Sequence, residues 1–297
     1  MINVSEEIKH LHKLANEDSS KRFVKLWENL ISVEWLAQAW EQIRRNMGRN
    51  TSGVDKMTDE QIDLEFIHKL SEKLKQGTYK PKPVRRVLIP KTNGKTRPLG
   101  IPTLEDRIVQ QAVKMLLEPI FEADFLKCSH GFRQGLSCQT ALRKVARHYP
   151  NTSWIIEGDI KGCFDNIPHG KLLKQISRRV ADEKNLMICK MFLEAGYLEN
   201  WSYHRTYSGT PQGGIISPLF ANIFLHQLDE LLENEMSANI LQTKKDILNR
   251  RNPKCYNLDG KIRRRRKKLK EKGEMDRQKL IQEIQELEKQ RSKLPCY

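Results

Sequence analysis

Apolar residues recur at helical spacing through the first half of the chain. Phe23, Leu26, Trp27 and Leu30 share one face, and Trp35, Leu36, Ala39, Trp40 and Ile43 a second, so residues 21–46 predict two helices. Thr58, with Gln61 three positions on, reads as a capping box that opens a helix running to about Gln76 and closed by Gly77. Two β-rich runs within 84–102 flank Asn93-Gly94, a hairpin turn signal. Ile108, Val109, Ala112, Val113 and Leu116 predict a helix from Glu105 to Glu118, ended by Pro119. Further helices are expected over 137–148, about 168–178 and 184–195. Residues 153–159 read as a buried strand. Trp154, Ile155 and Ile156 bury it, and Asp159 emerges at its end. WSYHRTY at 201–207 reads as a short strand leading into GTPQGG. Ser217 and Pro218 then start a helix striped by Phe220, Ile223, Phe224, Leu228 and Leu231.

Two stretches break this pattern. MGRNTSGVD at 47–55 is rich in glycine and polar residues, carries Arg49, and reads as a mobile basic loop. Residues 240–297 are nearly free of aromatics. They hold six consecutive cations from Arg263 to Lys268, and then Leu280, Ile284 and Leu287 at helical spacing. That composition predicts an exposed helical insertion. No internal repeat is present.

Charge narrows the class of partner. The chain of 297 residues has a net charge of +16, from 53 Lys and Arg against 37 Asp and Glu. Such an excess, clustered as well as accumulated, favours a polyanion, with a merely solvated basic surface as the alternative. Six cysteines without a CxxC give no support to a zinc site or a redox pair, and free thiols are expected. The N-terminus lacks a signal pattern. The most apolar run, IISPLFANIFL, is broken by Pro218 and too short to span a bilayer. A soluble, cytoplasmic protein of one or two domains is the expectation.

Four segments carry candidate chemistry. WIIEGDIKGCFDNIP at 154–168 resembles the first carboxylate motif of reverse transcriptases, and GTPQGGIISPLFANIF at 209–224 resembles their PQG motif. IPKTNGKTRPLGIPTLEDRIVQQAV at 89–113 looks like the fingers hairpin of group II intron reverse transcriptases. SHGFRQGLSCQTAL at 129–142 looks like the block that lines the template path. In this order, up to about Asp229, the chain is similar to bacterial group II intron-encoded reverse transcriptase/maturases.

The resemblance implies an α+β chain made of right-hand polymerase fingers and an incomplete palm. It would be mostly helical, with a fingers β-hairpin and a small antiparallel palm sheet. The implied divisions are an N-terminal extension with a template-side loop (1–57), fingers (58–150), a partial palm (151–239) and a basic helical insertion (240–297). By resemblance, Asp159 binds Mg²⁺ with help from the Ile160 carbonyl, and Phe164 packs under the sugar of the incoming dNTP. Gln212 would hydrogen-bond the nucleotide or the template base, and Gly213 would admit RNA close to the backbone. Lys91 and Arg97, on opposite arms of the turn, suit a triphosphate, with Lys95 beside them. Asp165 reads as structural. Arg49, His130 and Arg133 are template contacts. Arg263, Arg264, Arg265 and Arg266 are either RNA contacts or a solvated face.

One departure is plain. The family's second carboxylate motif, Tyr-Ala-Asp-Asp on a hairpin beside the Asp159 strand, is absent, and no Asp-Asp pair occurs in the sequence. One carboxylate cannot hold two metal ions, so this chain is expected not to polymerise alone while still binding RNA. An unpaired palm edge predicts self-association. Two alternatives stay open: an RNA-binding maturase-type module without a polymerase role, and the reverse transcriptase of another bacterial retroelement. With intron RNA, template and primer DNA as partners, no membrane is involved.

Overall fold

The computed structural model describes residues 3–90, 94, 96–148, 156–210, 213–236, 253–271 and 274–293. Two compact units are present, Met1–Asp229 and Glu230–Tyr297.

The first unit is built around one long helix. α1 (Val4–Glu17), α2 (Trp27–Leu30) and α3 (Val33–Arg44) pack on α5 (Leu104–Glu122), and α4 (Leu64–Lys75) packs on α3. Trp35 of α3 is fully buried and donates its indole N–H to the Ala112 carbonyl at 2.9 Å, which fixes its orientation. α5 runs through Pro119 instead of ending before it. A helix-interior proline costs about 3 kcal/mol. Ile120 and Phe121 beyond it are buried, at about 1.5–3 kcal/mol each, and that outweighs the cost.

Other boundaries also differ from the sequence pattern. The Thr58 capping box opens only a 3₁₀ turn at Asp59–Gln61, and α4 has its own cap in Asp63, which accepts from the Phe66 amide at 2.7 Å. Gly77 ends α4 at a φ of +69°. Residues 21–26 are not helical. Phe23 pairs with Val180, its amide donating to Arg179 O at 2.7 Å while Ala181 N donates to Phe23 O at 2.8 Å. α1 is not among the predicted elements, because few of its positions, chiefly Leu11 and Ala15, are buried.

β1 (Val84–Pro90) and β2 (Thr96–Ile101) form the predicted antiparallel hairpin, with Ile89 opposite Arg97. The separate antiparallel palm sheet does not appear among the described residues. Instead β3 (Tyr197–Glu199) pairs in parallel with β1, and β4 (Ser202–His204) pairs back on β3 through a two-residue turn, giving the order β2-β1-β3-β4. α6 (Cys138–His148), α7 (His169–Arg179), α8 (Glu183–Glu194) and α9 (Ser217–Glu230) fall where the sequence placed helices.

In the second unit, a π-helical turn at Leu231–Met236 precedes α10 (Pro253–Glu271) and α11 (Glu274–Ser292). These two helices form an antiparallel pair around buried Cys255, Ile262 and Ile284. Arg265–Glu283, Arg266–Glu288 and Arg291–Asp259 link them, each at 2.6 Å.

Candidate active site and nucleic-acid interface

Residues 156–159 are not part of the buried strand that the apolar run suggests. Residues 156–160 have no regular structure, Ile156 is 96% exposed, and Asp159 is exposed. Trp154 and Ile155 lie outside the described residues. A strand is stable only when its backbone groups find a ladder partner, and no described strand lies beside 156–160. The edge that predicts self-association is therefore not formed by these residues.

Downstream, the chain folds tightly. Gly162 takes a φ of +60°, the Asp165 amide donates to its carbonyl at 3.0 Å, and Asn166 Nδ2 donates to the same carbonyl at 2.9 Å. A 3₁₀ turn over Phe164–Asn166 follows. Burial raises the Cys163 thiol pKa, and the negative charge of Asp159 adds to the rise.

This turn is stitched to the residues that open the PQG segment. Gly209 N donates to Ile167 O at 2.8 Å and Thr210 N to Phe164 O at 2.7 Å. Ser208 Oγ donates to Asp165 O at 3.1 Å, and His169 Nε2 lies 2.8 Å from Gly209 O. Gly209 has a φ of +86°, and a Cβ there would stand 2.6 Å from the Asp165 carbonyl oxygen. Further on, Gly213 seats the turn against the fingers hairpin. Its φ is +107°, and a Cβ would fall 2.3 Å from Gly100 O. Gln110 of α5 accepts from Ile215 N at 2.9 Å. The two motifs and the base of the hairpin thus form one body. Beside them a cleft of about 230 Å³ is lined by Arg86, Gly100, Asp165, Tyr197 and Thr210 among others.

The remaining candidates fall into three groups. Arg97 is exposed on β2, while Lys91, Lys95 and Gln212 lie outside the described residues. Arg133 is nearly buried and its donors are spent inside the fold. It donates to both Glu122 oxygens, at 2.5–3.1 Å, and to the Leu126 and Ser129 carbonyls, both at 2.8 Å. His130 Nδ1 lies 3.0 Å from Thr140 Oγ1, and its buried Nε2 has no partner. In the second unit, Arg265 and Arg266 are held by acidic partners on α11, whereas Arg263, Lys267 and Lys268 carry no ion pair among the described residues.

The 47–55 loop is pinned instead of free. Arg107 of α5 donates to Pro102 O at 3.0 Å, Gly48 O at 3.1 Å and Thr51 O, and Arg85 donates to Ser52 O at 2.7 Å. Gly53 lies so close to Thr103 that a Cβ would meet its Cα at 2.7 Å. Arg49 itself pairs with Asp59 at 3.3 Å.

Sequence reasoning missed a buried polar cluster at the start of α5. Asp106 accepts from the Tyr79 hydroxyl and the Thr103 hydroxyl, both at 2.6 Å, and from Lys82 N at 3.2 Å. Burial raises its carboxyl to about 6, against these hydrogen bonds, which lower it. Also missed is Phe132, which is 69% exposed, has a φ of +56°, and meets Phe164 edge-on with ring centres 6.2 Å apart. Period counting has no signal for a buried charge or a left-handed aromatic.

No three His, Cys, Asp or Glu side chains converge as metal ligands among the described residues. Asp159 and the Ile160 carbonyl alone do not fit a two-cation centre. No described helix is long and apolar enough to cross a membrane.

A β-hairpin, the turn after Asp159 and a glycine turn are joined in one body, within a mostly helical fold with a small mixed sheet that is consistent with a fingers and palm type of architecture. Residues 89–248 match the family described as "Reverse transcriptase (RNA-dependent DNA polymerase)". The chain belongs to the reverse transcriptase family, and within it to the group II intron reverse transcriptase/maturase type. It is 41% identical over 291 residues to the group II intron-encoded protein LtrA of Lactococcus lactis subsp. cremoris, covering 97% of this chain and 48% of LtrA. It is 40% identical over 205 residues to an uncharacterized 91 kDa protein in the cob intron of Schizosaccharomyces pombe, covering 69% of this chain and 25% of that protein. A chain from the solved partial Cas6-RT-Cas1–Cas2 complex aligns with a TM-score of 0.46 and 24% identity, over 70% of this chain and 35% of that one. The chain thus spans about half the length of LtrA.

Proposed function

We propose that these residues are the fingers and partial palm of an RNA-directed DNA polymerase of the group II intron type. The whole protein would copy RNA into DNA from a DNA primer and dNTPs with Mg²⁺, and would assist the splicing and mobility of its intron RNA. The observation that supports this reading is the double stitch between Phe164–Ile167 and Gly209–Thr210, which ties the turn after Asp159 to the residues that open the PQG segment.

Alone, the chain binds RNA without extending a primer. Among the described residues no other carboxylates converge with Asp159, so Mg²⁺ chemistry there would need further acidic ligands, and the sequence offers no Asp-Asp pair to supply them. Arg97, Phe164 and Gln212 would serve the nucleotide, and Arg49, His130 and Gly213 the template. Arg263 with its neighbouring cations would serve intron RNA. Arg263 and Lys267 on α10, without an ion pair among the described residues, also favour a second reading, a maturase-type RNA-binding module.

The test combines primer extension with RNA binding by the purified chain. Retention of intron RNA at low salt, with no extension in Mg²⁺ and dNTPs, is expected. Robust extension refutes the inactivity, and absence of RNA binding refutes the RNA reading.

A further inference from the structure

The β3–β4 hairpin presents more exposed aromatic surface than its three-residue strands need. Trp201 is 89% exposed, Tyr203 54% and Tyr207 79%. Between the last two stands Arg205, exposed and without an ion pair among the described residues, its guanidinium 5.4 Å from the Tyr207 ring centre. The alternate positions are tied to β3 and the residue before it: His204, itself exposed, stacks on Tyr197 at 4.9 Å, and Oγ1 of half-buried Thr206 accepts from Gly196 N at 3.1 Å. Tyr203 packs against Gly196, where a Cβ would stand 2.7 Å from its ring and 2.8 Å from its hydroxyl, so the missing side chain leaves room for the ring.

The turn adds a second observation. Asn200 and Trp201 both have positive φ, +49° and +63°, the signature of a type I′ hairpin turn. Its second position favours glycine, and a bulky residue there is strained. The fold accepts that strain and places an indole in water.

We propose that this hairpin is a stacking platform for single-stranded RNA, with bases on Trp201, Tyr203 and Tyr207 and a phosphate on Arg205. It rests on the RNA-binding reading above. Aromatic faces take any base, so the platform is sequence-tolerant, and an unpaired strand is required because duplex bases already stack on one another. The net charge of +16 and the exposed Arg205, which has no ion pair among the described residues, favour RNA over an apolar protein partner. The platform leads directly into the active-site body, since Ser208–Thr210, immediately after Tyr207, are bonded to the Phe164–Ile167 turn.

The experiment measures fluorescence anisotropy of a labelled single-stranded RNA and of a labelled RNA duplex with the full 297-residue chain. Trp201→Gly installs the preferred Asn-Gly turn, so it should melt at or above the wild-type temperature while losing about 5- to 150-fold in single-strand affinity. Tyr207→Leu should lose affinity within the same range, and Tyr207→Phe should keep it. Duplex binding should hold in all three. Unchanged single-strand affinity in Trp201→Gly and Tyr207→Leu overturns the platform, as does an equal loss for strand and duplex. Should the wild type bind no RNA, the broader RNA reading falls and takes the platform with it; wild-type binding with unaffected variants sinks the platform alone.

Discussion

Replacing Gly209 with alanine tests whether the two polymerase motifs are held as one body. Gly209 has a φ of +86°, and its Cβ position lies 2.6–2.8 Å from three backbone atoms of Asp165. Left-handed backbone costs an alanine about 1–2 kcal/mol. The clash with Asp165 cannot be relieved by a rotamer, so one chain must move. That movement stretches the bonds from Gly209 N and Thr210 N, each worth about 1 kcal/mol net. The expected loss is about 3 kcal/mol, or about 6–12 °C in Tm for a unit of this size. Gly170→Ala is the control. It lies in α7 with nothing near its Cβ position, and should stabilise by about 0.5–1 kcal/mol. Thermal melts by circular dichroism measure both, and hydrogen exchange at the Thr210 amide reports the stitch directly. A Gly209→Ala chain that melts within about 2 °C of wild type, with Thr210 still protected, would refute the reasoning.

Other expectations follow from single groups. The native Asp106 carboxyl titrates near 6 against 3.8 for a free one, so the folded chain holds an extra proton between those values and stability falls as pH rises through them, by about 3 kcal/mol. Asp106→Asn should remove that slope in urea denaturation between pH 4 and 7, and a slope that persists in the variant assigns it elsewhere. Arg107→Ala frees three carbonyls of the 48–51 loop and its own helix start, and should cost about 2–4 kcal/mol and admit protease at 47–55; continued resistance to limited proteolysis would show that the loop is held by other means. Reversing Arg263 and Lys267 should weaken intron RNA binding and flatten its salt slope by about 0.7–0.9 for each phosphate no longer neutralised, whereas Glu288→Gln, in an exposed pair, should alter stability by less than about 1 kcal/mol. An unaltered slope would leave the α10 cations a solvated face.

Legibility follows the physics of each signal. The hairpin at Asn93-Gly94 and helices α6 to α9 are readable because turn chemistry and caps are local. The Asp159 strand misleads for the opposite reason. Trp154, Ile155 and Ile156 advertise burial, but a strand needs a neighbour, and the local sequence says nothing about whether one is present. The 47–55 loop looks mobile from its glycines, yet Arg85 and Arg107, far away in sequence, hold its carbonyls. Arg107, Asp106 and Gln110 sit among polar residues that helical periodicity assigns to solvent, and only packing reveals them as buried. At the site, family likeness finds the segments, whereas the stitch at Gly209 comes from backbone geometry alone.

The parallel pairing of Val84 with Tyr197 also sets an order of events at the ribosome. β1 leaves the ribosome long before β3 exists. At about 5–20 residues per second, the intervening chain takes roughly 5–25 s to make. For that interval the β1–β2 hairpin has one edge open and its base unsupported by Gly196, and Phe23 likewise waits for Val180. A nascent chain paused within α7 would therefore expose both unfinished edges together, and such a pause is where a ribosome-bound chaperone would have most to hold.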